Sequence, residues 1–183
     1  FPTRRSSDLT DSGISPRIFP GMTSHCVKAS SSSELVIADS DEHTENGHLT
    51  EDLSVRISMV EKRLRKLDGI KSEIIGPEFI GLSEPDTLFV TWGSSRGSVI
   101  EAADALVAKG RRFATLNFLQ VWPLDPKNFV SILEAAKNVV AVEGNATGQF
   151  ARLIRRETGF HIKKTILRFD GLPITPEYIL GRI

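Results

Sequence analysis

From residue 88 onward the chain alternates short apolar runs with helical apolar periods four times in succession, and that alternation leaves few folds open. The first unit has Leu88, Phe89, Val90, Thr91 and Trp92, then Val99, Ala103, Leu106 and Val107 at helical spacing, closed by Gly110. Residues 113–119 begin the second, which continues through Asp125 and Pro126 as N-cap and N1 to Phe129, Ile132, Leu133 and Ala136. The third runs from residues 139–142 through Phe150, Leu153 and Ile154 to Gly159. Residues 165–169 form a fourth strand, and Thr175-Pro176 supplies N-cap and N1 chemistry again. Strands alternating with helices imply crossovers and a mostly parallel sheet covered on both faces. The expected fold is therefore a three-layer αβα domain over residues 83–183, and no internal repeat suggests a solenoid.

Upstream the pattern changes. Thr50 is placed to N-cap a helix whose apolar stripe is Leu53, Ile57, Val60, Leu64 and Leu67, with Gly69 as its stop. Arg56, Lys62, Arg63, Arg65 and Lys66 occupy the other face, as a solvated surface or a dock for an acidic partner. With the Gly/Pro stretch of residues 77–85 read as a hinge, residues 51–82 form a linker. Residues 34–52 carry seven Asp or Glu and no Lys or Arg, so the strand expected at residues 35–38 leads into a solvated acidic turn. Residues 10–33, rich in Ser, Gly and Pro, read as loop. Read back through the genetic code, residues 1–9 spell a common short-read sequencing adapter, so they are expected to be a scar on a reading frame truncated at its start.

Composition narrows the function classes. The single cysteine, Cys26, excludes an internal disulfide framework and a self-contained iron–sulfur cluster, which needs about four thiolates. With 23 basic against 23 acidic residues there is no global field to gather nucleic acid, and no apolar run approaches the length of a membrane span. His25, Cys26, His43 and His48 show no zinc or calcium spacing, so no metal site is expected. No nucleophile system is assignable either, and no catalytic residue is named.

Ligands of open parallel sheets gather at the carboxyl ends of the strands, which singles out two loops. Gly93-Ser94-Ser95-Arg96-Gly97-Ser98 joins strand to helix, and Ser94, Ser95 and Arg96 could hold a phosphate or carboxylate. Its spacing is neither a P-loop nor a dinucleotide fingerprint, and a serine-capped turn accounts for it as well. Glu143-Gly144-Asn145-Ala146-Thr147-Gly148-Gln149 sets a carboxylate at a strand end, with Asn145 and Gln149 as donors and acceptors. The plainer reading is an Asn or Thr cap, with Glu143 paired to Arg152 or Arg155.

Several strings add a resemblance. Gly13-Ile14-Ser15-Pro16-Arg17, Asp41-Glu42-His43 with Gly47-His48, Met59-Val60-Glu61-Lys62-Arg63, Trp92-Gly93-Ser94, Val121-Trp122-Pro123 and Glu143-Gly144-Asn145 resemble the α subunit of 2-oxoacid:ferredoxin oxidoreductases, especially the 2-oxoglutarate branch. That resemblance covers residues 10–183 and implies the end of the subunit's first, thiamine-diphosphate-type domain (residues 10–50) and its second, transketolase C-terminal-like domain. In such enzymes thiamine diphosphate attacks the 2-oxoacid carbonyl, CO2 leaves, electrons pass through iron–sulfur clusters to ferredoxin, and coenzyme A takes the acyl group. It implies a fragment that is inactive alone and binds no cofactor, with thiamine diphosphate, Mg2+ and the clusters held elsewhere in the holoenzyme. The implied partners are the β subunit and, at holoenzyme level, ferredoxin and coenzyme A, in the cytoplasm, with neither nucleic acid nor membrane. Glu143, Asn145 and Gln149 would then hold an interface-facing loop, while Arg17, Asp41, Glu42, His43 and His48 would lie near the lost first domain. The competing readings are a free-standing α/β module binding a phosphate-bearing ligand at residues 93–98, and a purely structural interaction domain.

Overall fold

The computed structural model describes residues 42–44 and 49–183, which fall into two compact units divided between Glu73 and Ile74. The expectations for residues 1–9, 10–33 and 35–38, and for Arg17, His25, Cys26, Asp41 and His48, lie outside the described residues.

In the first unit β1 (Glu42–His43) pairs antiparallel with β2 (Leu49–Thr50), and α1 (Leu53–Lys71) follows. The acidic stretch read as a solvated turn is here a ribbon, and Glu42 is buried. Its charge is met 21 residues away: Arg63 Nη1 donates to Glu42 Oε2 at 2.8 Å and Nη2 to Oε1, while His43 N–H donates to Oε1 at 3.0 Å. The N-cap is Asp52 rather than Thr50, because the Asp52 carboxylate accepts from Ser54 N at 2.7 Å while Thr50 is committed to β2. Gly69 does not stop α1; the helix continues to Lys71, and Ser72 closes it by donating from Oγ to the Gly69 carbonyl at 2.7 Å. The stripe is also turned relative to expectation: Leu53, Ile57, Val60 and Leu64 are exposed, whereas Met59 and Lys62 are buried.

The Arg63 guanidinium, followed by the His43 N–H, holds the Glu42 carboxyl down to about 2. A carboxylate whose folded value is depressed adds stability that is complete above its ordinary value and disappears on acidification. The contact between ribbon and helix should therefore hold down to pH 4.5 and loosen progressively as pH falls from 4.5 to about 2. Glu42→Gln should abolish that dependence, as read from the pH profile of amide exchange at His43. A wild-type profile that is flat across this window, or one that Glu42→Gln leaves unchanged, contradicts the pair.

The second unit is the three-layer domain. Its elements are β3 (Glu78–Gly81), β4 (Thr87–Trp92), a 3-10 turn (Gly93–Ser95), α2 (Arg96–Val107), β5 (Phe113–Phe118), a 3-10 turn (Pro126–Asn128), α3 (Val130–Ala135), β6 (Asn138–Glu143), α4 (Gln149–Thr158), β7 (Lys164–Leu167) and α5 (Pro176–Leu180). The sheet order is β3-β5-β4-β6-β7, with β3 antiparallel to β5 and the other pairings parallel. Strand alternation sends Leu88, Val90, Ala114, Leu116 and Ala141 to the face covered by α3 and α4. Phe89, Phe113, Val140, Val142 and Ile166 pack on the opposite face against residues of α2 and α5. Both faces are apolar, which is why these strands read as nearly continuous hydrophobic runs.

Two expectations are corrected here. The segment read as a hinge contains an edge strand, β3. Gly81 sits there at φ 114°, and a Cβ would meet the Ala114 Cα at 3.1 Å, so only glycine lets the strand end lie this close to β5. The helix expected after Asp125 is broken: Asp125 caps the Pro126–Asn128 turn by accepting from Lys127 N at 3.1 Å, Phe129 interrupts at φ −151°, and α3 ends before Ala136.

Candidate functional site at the carboxyl edge of the sheet

Glu143 ends β6 with its side chain 1% exposed, so the strand-end carboxylate is a core group and not a surface one. Its Oε2 accepts from Phe150 N at 2.8 Å and from Asn145 Nδ2 at 2.7 Å, and Oε1 accepts from Ala151 N at 2.9 Å. Two of these donors are backbone N–H groups of the first turn of α4, which lack intrahelical partners and lie at the positive end of the helix dipole. Glu143 therefore caps α4 from the preceding strand, and the expected pairing with Arg152 or Arg155 is not made. Asn145 completes the turn: its Oδ1 accepts from Thr147 N at 3.1 Å and Gln149 N at 3.2 Å. Gly148 sits at φ 62° directly before α4, a left-handed position that favours glycine. Of the three loop residues singled out by sequence, Glu143 and Asn145 are joined in this network, and only Gln149 is exposed, at the start of the helix.

The other loop is also occupied by its own structure. Arg96 Nε and Nη2 donate to Glu78 of β3 at 3.0 and 2.9 Å, so its fork ties α2 to the edge strand. Ser95 Oγ donates to the Trp92 carbonyl at 2.9 Å and lies 2.6 Å from Thr91 Oγ1. Ser94 is exposed. The sequence did not announce the apolar rim beside these loops: Trp92, Leu119 and Trp122 are 36%, 62% and 48% exposed at or just beyond the carboxyl ends of β4 and β5. Gln120 braces that rim, donating from Nε2 to the carbonyls of Trp122 and Pro123 and accepting from Ile75 N. A wide groove of about 970 Å3 lies at the opposite edge, beside Asp86, Arg112 and Lys137. Its cations are spent internally, Lys137 on Asp86 at 2.6 Å and Arg112 on the Glu84 carbonyl.

Glu42 and His43 stand together on β1, Glu42 bound to Arg63 and the His43 ring to the Thr44 carbonyl at 2.8 Å. Among the described residues no three His, Cys, Asp or Glu side chains converge on a point where a metal could sit. Glu143, the strand-end carboxylate among the described residues, is already engaged by three donors. These residues do not fit thiamine diphosphate with its Mg2+, and one cysteine in the sequence does not fit a cluster. No described helix is long and apolar enough to cross a membrane.

The doubly covered sheet belongs to a recognised class. Residues 66–179 match the transketolase C-terminal domain family, and the chain belongs to that family. Its relatives within the class are more particular. It is 34% identical over 171 residues to the α subunit of 2-oxoacid:ferredoxin oxidoreductase 1 of Sulfurisphaera tokodaii, covering 90% of this chain and 25% of the relative. With the α subunit of 2-oxoacid:ferredoxin oxidoreductase 2 of Aeropyrum pernix it shares 31% identity, over 98% of this chain and 27% of the relative. Among solved structures, a 2-oxoglutarate:ferredoxin oxidoreductase from Magnetococcus marinus, determined with 2-oxoglutarate, coenzyme A and succinyl-CoA bound, aligns with all of this chain and 31% of its own. The TM-score is 0.62 at 28% identity. The chain thus spans about a quarter of the length of the curated relatives it matches.

Proposed function

We propose that this chain is a portion of the α subunit of a 2-oxoacid:ferredoxin oxidoreductase, a cytoplasmic enzyme that oxidatively decarboxylates a 2-oxoacid, 2-oxoglutarate, to its acyl-CoA and passes the electrons to ferredoxin. The observation that carries this reading is the 34% identity that runs through 90% of the chain, across both units. Within the enzyme this portion serves subunit assembly, and thiamine diphosphate, Mg2+ and the iron–sulfur clusters are held by other parts. The division of the chain in this reading is an adapter scar at residues 1–9, the end of the thiamine-diphosphate-type domain at 10–50, a linker from 51, and the transketolase C-terminal-like domain.

The exposure of Trp92, Leu119 and Trp122 at or just beyond the carboxyl ends of β4 and β5 supports the assembly role, since large apolar side chains left in solvent at a sheet edge suit an interaction site. It also moves the contact away from Glu143, which is spent on α4, toward the tryptophans, Ser94 and Gln149. The partner we assign to it is the β subunit. The phosphate-binding alternative at residues 93–98 loses its principal arm, because Arg96 is bound to Glu78.

The test is reconstitution. The complete reading frame, co-expressed with its β subunit, should reduce ferredoxin in a reaction dependent on both 2-oxoglutarate and coenzyme A. No such reduction with any 2-oxoacid sinks the enzyme reading. In the same complex Trp122→Ala should weaken α–β association by about 2 kcal/mol or more, the scale of a buried tryptophan anchor, with little change in the melting of isolated α. An unaltered affinity removes the rim from the interface.

A further inference from the structure

The outward apolar stripe of α1 has a period of its own. Leu53, Ile57, Val60, Leu64 and Leu67 follow one another at intervals of four, three, four and three, which places Ile57 and Leu64 at heptad position a and Leu53, Val60 and Leu67 at position d. A helix packed on its own domain shows a broader stripe, whereas a strict a/d seam is the surface one helix of a coiled coil turns to another. Leu53, Ile57, Val60 and Leu64 are 73%, 61%, 41% and 61% exposed. Met59 and Lys62, the residues α1 buries, fall at c and f, so the packing of α1 within its unit leaves the seam clear.

The charges beside the seam are ordered as well. Position g holds Arg56 and Arg63, and position e holds Glu61 and Asp68. In a parallel pair of helices each g residue meets the e residue five positions further along the other helix, which sets Arg56 against Glu61 and Arg63 against Asp68 of a second copy. In an antiparallel pair g meets g and e meets e, and every such contact would join like charges. Arg56 and Glu61 are exposed and make no ion pair among the described residues, Glu61 not even with Arg65 one turn on. Arg63 is engaged by Glu42, and Asp68 by Lys71 at 3.3 Å, so Arg56 with Glu61 is the pair left to select a partner.

We propose that α1 pairs in parallel with α1 of a second copy of this chain, as a short two-stranded coiled coil with Arg56 bonded to Glu61 along both sides of the seam. Ile57 at a, with Leu53 and Leu67 at d, follows the two-stranded preference. The helix has 19 residues and is about 28 Å long, so the seam is short and the affinity modest, about 1–100 μM. The Asp52 cap and the Arg63–Glu42 contact already hold α1 as a helix, which lowers the ordering cost of association. This surface is in a different unit from the tryptophan rim, and the proposal is independent of the enzyme reading.

The experiment is sedimentation equilibrium of the 183-residue chain at low ionic strength, where a monomer should pass to a dimer at about 1–100 μM. Ile57→Glu, at an exposed site of the monomer, should weaken the dimer about a hundredfold or more while helix content by circular dichroism stays the same. Arg56→Glu and Glu61→Arg, tested singly, each place like charges along both sides of the seam and should weaken their homodimers about fivefold or more. Mixed in equal amounts, these two variants should form the heterodimer in preference, because every mixed contact again joins opposite charges. They decide the matter if Ile57→Glu disturbs the helix. A chain that stays monomeric up to about 1 mM overturns the proposal, and if Ile57→Glu then lowers its melting temperature the stripe belongs to another segment of the same chain. It is overturned equally by a dimer that Ile57→Glu leaves intact, or by a mixture of the charge variants with no heterodimer beyond its statistical share.

Discussion

Replacing Glu143 by alanine is expected to destabilise the α/β unit by about 3–5 kcal/mol, a fall in melting temperature of order 10–30 °C for a domain of this size. The side chain is 1% exposed, and its loss strips the acceptor from Phe150 N and Ala151 N and the partner from Asn145 Nδ2. A buried donor left without an acceptor costs about 1–3 kcal/mol, and two such groups plus the vacated volume account for the total. Glu143→Gln separates charge from shape. The amide keeps the volume but presents N–H groups where an oxygen is needed, so it should recover only part of the loss, and the variant should melt between alanine and wild type. An exposed interface loop predicts the opposite, a change within about 0.5 kcal/mol. A melting point within that margin for Glu143→Ala would show that the carboxylate does not hold the helix.

The same residue shows where sequence reasoning stops. A carboxylate at a strand end followed by Gly-Asn-x-x-Gly is visible as a special loop, and Asn145 as its cap, because both signals are local. Whether Glu143 faces solvent or the next helix depends on how α4 seats on the sheet, and no local pattern encodes that. The β4, α2, β5, β6, α4 and α5 elements were legible for a related reason: apolar period and caps lie within each segment, as with Thr175 accepting from Tyr178 N. β3 was not, because its identity lies in pairing Phe79 with Leu116 and Ile80 with Thr115 far along the chain, between prolines that read as breakers. Missing β3 hid Arg96 as well, since its partner Glu78 stands on that strand. The ribbon of β1 and β2 escaped in the same way, its buried charge answered only by Arg63. In α1 the helical period was legible but its inward face was not. The amphipathic stripe marks which residues prefer burial, while Met59 and Lys62 are the ones covered.

Phe150→Ala should cost about 3–5 kcal/mol, comparable to Glu143→Ala but by a different route. The Phe150 ring is 3% exposed and meets Phe118 edge-on at 4.8 Å, with the Trp92 ring 6.2 Å away. Removing it opens a cavity between α4 and the sheet directly beneath Trp92, so a local readout accompanies the global one. With Trp122→Phe as background, Trp92 is the sole tryptophan. Its emission should move to longer wavelength in folded Phe150→Ala, before the melting transition, as water reaches the inner face of the indole. Phe150→Leu fills most of the space and should leave both the emission and all but about 1 kcal/mol of the stability in place. The contrast matters for the rim. Trp92 is one-third exposed and rests on Phe150. Phe150 follows the loop that Glu143 fastens, and its own N–H is one of the bonds that do so. The cap and the aromatic contact therefore hold the same corner, and the rim keeps a fixed shape for a partner only while both are intact. Lost stability with unmoved Trp92 emission would separate them, leaving Trp92 positioned by β4 alone.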